Sequence, residues 1–143
     1  MFSIEEFKSV NTNVNVFDYI HALFSNENIA PDLVLAIDSI LRPKFKEVHG
    51  VLFVEELYSP EKHESLENAN KSNCEISYWV NLIDLTSVFE GVDFQVVLSI
   101  AEKMKASWNT ELNRNYCRYN VQASLIKEAE TGEIYLTLEL NEK

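Results

Sequence analysis

The 143 residues carry 23 acidic against 12 basic side chains, a formal net charge of −11, with 46% apolar and 11% aromatic residues. That apolar content excludes a wholly disordered chain, and the negative field disfavours nucleic-acid phosphates and anionic lipid as direct ligands. Three Gly, three Pro and two Cys leave no room for a collagen-like or disulfide-scaffold protein, and one domain over residues 1–143 is expected.

The N-terminus, Met1-Phe2-Ser3-Ile4-Glu5-Glu6, has acids where a secretory signal would be basic, and no segment reaches bilayer-spanning apolar length. A cytoplasmic protein is therefore expected. Ser3-Ile4-Glu5-Glu6 reads as a capping box, with Phe2 and Phe7 at staple positions, and starts a short helix that the Asn11-Thr12-Asn13 cluster interrupts. Asn15 can cap a second helix, whose Val16, Phe17, Ile20, Leu23 and Phe24 recur at helical spacing and which ends near Asn26. Pro31 suits the first turn of a third, with the stripe Leu33, Val34, Ile37, Ile40 and Leu41. Pro43 ends it, and Arg42, Lys44 and Lys46 then lie near the negative end of its dipole.

From Gly50 the apolar period changes, and Val51-Leu52-Phe53-Val54, leading to Leu57 and Tyr58, reads as a strand. A second strand is expected from Glu75 through Ile83, towards Thr86. The polar segment between them, residues 59–73, reads as a mobile loop. Asp93 can cap the longest helix, with the stripe Val97, Ile100, Ala101, Met104, Trp108 and Leu112. After Tyr116 the chain alternates from Cys117 to Leu125, turns at Glu130-Thr131-Gly132, and alternates again with Ile134, Leu136, Leu138 and Leu140 on one face. The order is N-terminal helices, hairpin, helix, hairpin. It predicts an α+β fold with a four-stranded, mainly antiparallel sheet and helices packed on one face.

No catalytic, cofactor or metal motif accompanies this pattern, and a non-enzymatic protein without a cofactor is expected. Gly50, Gly91 and Gly132 stand alone, so there is no phosphate-cradling loop. His21, His49 and His63 fall in different elements and show no metal-ligand spacing; they read as surface or partly buried histidines. Cys74 and Cys117 read as packed strand residues. Glu55, sharing a strand face with Val51, Phe53 and Leu57, and Asp84 raise the question of a buried acid, and a solvated position is expected for both.

The acids are concentrated: residues 51–100 hold nine against two bases, and Glu128 to Glu142 adds five with none. Such a field speeds encounter with a basic partner. The expected function is an acidic protein-binding module of the immunity-protein kind, neutralising a basic, nuclease-type toxin domain. The surface expected to do so comprises Glu55, Glu56, Glu61, Glu64, Glu67, Glu90 and Asp93, with Trp79 and Tyr135 as aromatic anchors. The alternative is a homodimeric chaperone of the type III secretion kind that holds an effector segment.

Overall fold

A computed structural model describes residues 2–141. Contacts divide the chain into two compact units, residues 1–37 and 38–143.

In the first unit, α1 (Ile4–Val10) begins with the capping box of Ser3 and Glu6, and α2 (Val16–Asn26) is capped by Asn15, whose side chain accepts from Phe17 N and Asp18 N. An aromatic trio joins them. Phe2 and Phe7 stack at 5.8 Å, Tyr19 tilts against Phe7 at 5.6 Å, and the Tyr19 hydroxyl donates to the Phe2 carbonyl at 2.9 Å. The division falls within α3 (Asp32–Leu41), which starts immediately after Pro31. No residue of these three helices is buried; Phe17 is 82% and Leu35 67% exposed.

The second unit opens with the hairpin β1 (Phe45–Val48) and β2 (Val51–Val54), joined by His49 and Gly50 at φ 51° and 78°. Positive φ at both turn residues is the mirror-image turn that matches strand twist. β2 is buried on both faces, which explains its unbroken apolar run: Leu52 and Val54 join the main core, while Val51 and Phe53 join a smaller cluster with Ile76 and Val80. After a 3-10 turn (Glu55–Leu57) come α4 (Pro60–Asn68), capped by Ser59, and α5 (Asn73–Val80), begun by a capping box of Ser72 and Glu75. β3 (Ile83–Asp84) leads into the short α6 (Leu85–Val88), and α7 (Phe94–Asn115) starts from its cap Asp93. A second 3-10 turn (Cys117–Tyr119) precedes β4 (Val121–Lys127) and β5 (Ile134–Leu140).

The α+β class stands, but several expected details do not. The strands form two antiparallel sheets, β1-β2 and β3-β5-β4, instead of one of four strands. Residues 75–80, expected as a strand, are helical because the capping box fixes the first turn and Ile76, Ser77 and Val80 then share a buried face. The segment expected as a loop, 59–73, holds α4, where Ser59 caps and Pro60 occupies the first turn. Cys74 and Cys117 are exposed free thiols on α5 and a 3-10 turn, not packed strand residues.

Helices also cover both faces of the three-stranded sheet. Val97, Ala101, Met104, Trp108 and Leu112 of α7 pack on Ile134, Leu136 and Leu138. On the opposite face of β5, the buried Thr137 hydroxyl donates to the Tyr78 carbonyl of α5 at 2.6 Å, and Ser77 Oγ of α5 donates to the Leu138 carbonyl at 3.3 Å. Thr137 keeps its expected place on the second face of β5 and is buried there because α5 covers it and gives it a partner. Two asparagine amides complete the backbone pairing. Asn81, fully buried, accepts from Val54 N at 2.8 Å and donates to Leu52 O and Ser77 O; Asn109 of α7 exchanges two hydrogen bonds with the backbone of Ala123. At the end of α3, Trp108 Nε1 and Ser107 Oγ donate to the Ile40 and Leu41 carbonyls. Among the described residues, no helix is long and apolar enough to cross a membrane.

Candidate functional site

Helix α5 buries Ile76, Ser77 and Val80 and turns Trp79 outward, where the indole is 46% exposed. Tyr78 stands edge-on to it with ring centroids 5.1 Å apart, which restricts both rings. A depression lies on each side. One, of about 290 Å³, is lined by Tyr78, Trp79, Leu82, Ile126, Glu128, Thr131, Glu133 and Tyr135. The other, of about 560 Å³, is lined by Cys74, Glu75, Tyr78, Trp79, Glu139 and Leu140. An amphipathic ring between two acid-rimmed depressions offers apolar contact at the centre and cation recognition at the margin.

The polar groups of this face are held in place. The Tyr135 hydroxyl donates to Glu133 at 2.6 Å, and Glu133 also accepts from the Thr131 hydroxyl. That carboxylate and partial desolvation push the Tyr135 phenol up to about 12, so it stays protonated at neutral pH and acts as a donor. Glu75 is kept below the ordinary carboxylate value by its bonds from the Ser72 backbone and hydroxyl, and Lys71 lies 3.5 Å from it. Asp84, half-buried as the cap of α6, is likewise depressed, first by the Thr86 hydroxyl and then by Ser87. It is a helix cap.

Of the residues expected to bind a partner, Trp79 and Tyr135 line one depression, although Trp79 is on a helix and Tyr135 on a strand. The expected acids are distributed elsewhere. Glu55 and Glu56 are exposed on the first 3-10 turn, Glu61, Glu64 and Glu67 lie on α4, Glu90 precedes α7 and Asp93 caps it; none lines either depression. The carboxylates beside Trp79 are Glu75, Glu128, Glu133 and Glu139. Charge along the chain marks the stretches that hold them, 51–100 and 128–142, but not their place beside Trp79, because α5 and the β4-β5 hairpin meet only through tertiary packing.

Glu67 belongs to a different constellation. His49 Nδ1 lies 2.8 Å and His63 Nε2 3.1 Å from Glu67 Oε1, and the two imidazoles are 5.4 Å apart between centroids. The hydrogen bond with His49, with a smaller contribution from the neighbouring His63, outweighs partial desolvation and holds the Glu67 carboxyl below its ordinary value. His63 is buried against Phe53, with its Nδ1 3.0 Å from the Tyr58 hydroxyl, while Lys46 Nζ sits 4.2 Å over the Tyr58 ring. Two histidines expected as isolated surface or partly buried groups are thus neighbours, and with Glu67 they are the three donors among the described residues that could hold a metal ion. The sequence signal was His63-x-x-x-Glu67, one helical turn apart, obscured by reading 59–73 as a loop.

The chain matches no known protein family, no curated protein and no solved structure.

Proposed function

We propose that the chain is an acidic, non-enzymatic protein-binding module of the immunity-protein kind, whose α5-β5 face occupies the cationic site of a toxin domain. The observation that carries this reading is Trp79, exposed between two depressions rimmed by Glu75, Glu128, Glu133 and Glu139. Trp and Tyr are the usual anchors of protein interfaces, and carboxylates around them select cationic partners. α5 and β5 are joined by buried hydrogen bonds through Ser77 and Thr137, so the face needs little ordering on binding.

The test is capture of partners from the native host, identification by mass spectrometry, and assay of the partner's activity with and without this chain. A basic partner should be inhibited, the complex should weaken steeply with salt, and Trp79→Ala should cost about 2 kcal/mol of binding, roughly 30-fold. An acidic partner, salt-insensitive binding, or an unchanged Trp79→Ala affinity refutes the proposal.

A second reading, a homodimeric chaperone of the secretion kind, draws support from the apolar residues of α2 and α3 that are open to solvent: Phe17, Ile20, Phe24, Leu33, Val34 and Leu35. Sedimentation separates the two, since the chaperone requires a stable homodimer and the immunity reading a monomer that pairs one to one.

A further inference from the structure

We propose that His49, His63 and Glu67 form a binding site for a divalent transition metal of the zinc class. The site is distinct from the α5-β5 face and stands or falls without it. Two elements with separate local causes build it. His49 is fixed by the tight turn between β1 and β2, with φ 51°; His63 and Glu67 lie one turn apart on α4, which Ser59 caps and Pro60 begins.

The donor atoms fit an ion. Two imidazole nitrogens and a carboxylate oxygen are the ligands zinc takes in sites with an open position, at bonds of about 2.0–2.1 Å that place neighbouring donors about 3.3 Å apart. Here the two nitrogens lie 2.8 and 3.1 Å from Glu67 Oε1, and all three donors lie within 4.8 Å of one another. His49 and Glu67 are exposed, so small side-chain rotations can bring the donors to equal bond lengths, and water can complete the shell.

The independent sign of a ligand is His63 Nε2. The residue is 2% exposed, and this atom is the buried side-chain nitrogen or oxygen that, among the described residues, lacks a hydrogen bond. It lies near Glu67 Oε1 but is not aligned for a bond to it. Its other ring nitrogen meets the Tyr58 hydroxyl at 3.0 Å. A proton on Nδ1, donated to that hydroxyl, leaves the Nε2 lone pair for a metal, and such an outer partner is what orients ligating histidines generally. A buried imidazole nitrogen without a hydrogen bond is uncommon, and an ion bound at Nε2 would satisfy it.

The test is calorimetric titration of chelator-treated protein with zinc chloride, with cobalt(II) absorbance reporting low coordination number. One ion per chain should bind with a dissociation constant below about 0.1 mM. His49→Asn should weaken it about tenfold or more while preserving the fold, because Asn is favoured at this turn position; Glu67→Gln should do the same. His21→Asn and the double change Cys74→Ser, Cys117→Ser should leave it unchanged. No binding at about 0.1 mM, or binding that survives His49→Asn and Glu67→Gln, overturns the proposal.

Discussion

Replacing Asn81 by Ala isolates what one buried amide does for the second unit. The side chain accepts from Val54 N at 2.8 Å and donates to Ser77 O at 2.8 Å and to Leu52 O at 3.3 Å, in a position with no solvent access. Without it the Val54 N–H, in a residue only 2% exposed, loses its acceptor, at about 1–3 kcal/mol for a buried orphan donor. Ser77 O keeps the bond from Asn81 N, so its loss is small. The void left by the amide adds about 1 kcal/mol, which gives about 2–4 kcal/mol in all. Urea unfolding followed by circular dichroism should show the midpoint falling by about 1–2 M. Asn81→Asp gives a signature that simple loss of packing would not. It retains an acceptor for Val54 but sets a carboxylate against two carbonyl oxygens, so burial raises its pKa and stability recovers as the pH falls and the group becomes a donor. A loss under about 0.5 kcal/mol for Asn81→Ala would refute the reasoning.

Two further outcomes follow from groups of the same unit. Asp84 is held below its ordinary value near 3.8, so its contribution is present above that pH and lost as the pH falls through the lower folded value. Asp84→Asn should therefore be less stable than the parent at neutral pH, with the difference shrinking as the pH falls below 3.8 in acid titrations followed by circular dichroism. Trp108→Phe keeps most of the buried ring but removes the donor that reaches Ile40 O at 2.8 Å, and should cost about 1 kcal/mol in thermal unfolding; no change would mean that water replaces the indole at that carbonyl.

What the sequence makes legible here is what local chemistry decides. Ser3, Asn15 and Asp93 cap helices where hydrogen-bonding side chains stand three residues or fewer from an apolar run, and the α7 stripe and the Gly132 turn follow the same local logic. Ile76-Ser77-Tyr78-Trp79-Val80 carries the β-branched and aromatic content of a strand, yet Ser72 and Glu75 start a helix and packing against β2 and β5 keeps it. α4 is polar except for Pro60 and Leu66, so no stripe betrays it, although Ser59-Pro60 is a start signal. The β1-β2 hairpin hides because His-Gly replaces the usual Asn-Gly and two lysines flank Phe45. For the candidate sites, exposed aromatics can be guessed from alternation, whereas the glutamates beside Trp79 and the His49–His63–Glu67 group depend on elements that only the tertiary fold brings together.

The Asn109 amide bonded to Ala123 limits how a partner can approach. β4 is the outer strand of its sheet, and an outer strand with bare backbone invites pairing with another chain, whether for recognition or in aggregation. Here an incoming strand would have to break the bonds that Ala123 makes through both its N–H and its carbonyl. The opposite rim is β3, only two residues long. Strand addition is thus disfavoured on either side, and recognition by this sheet falls to side chains on its helices and faces.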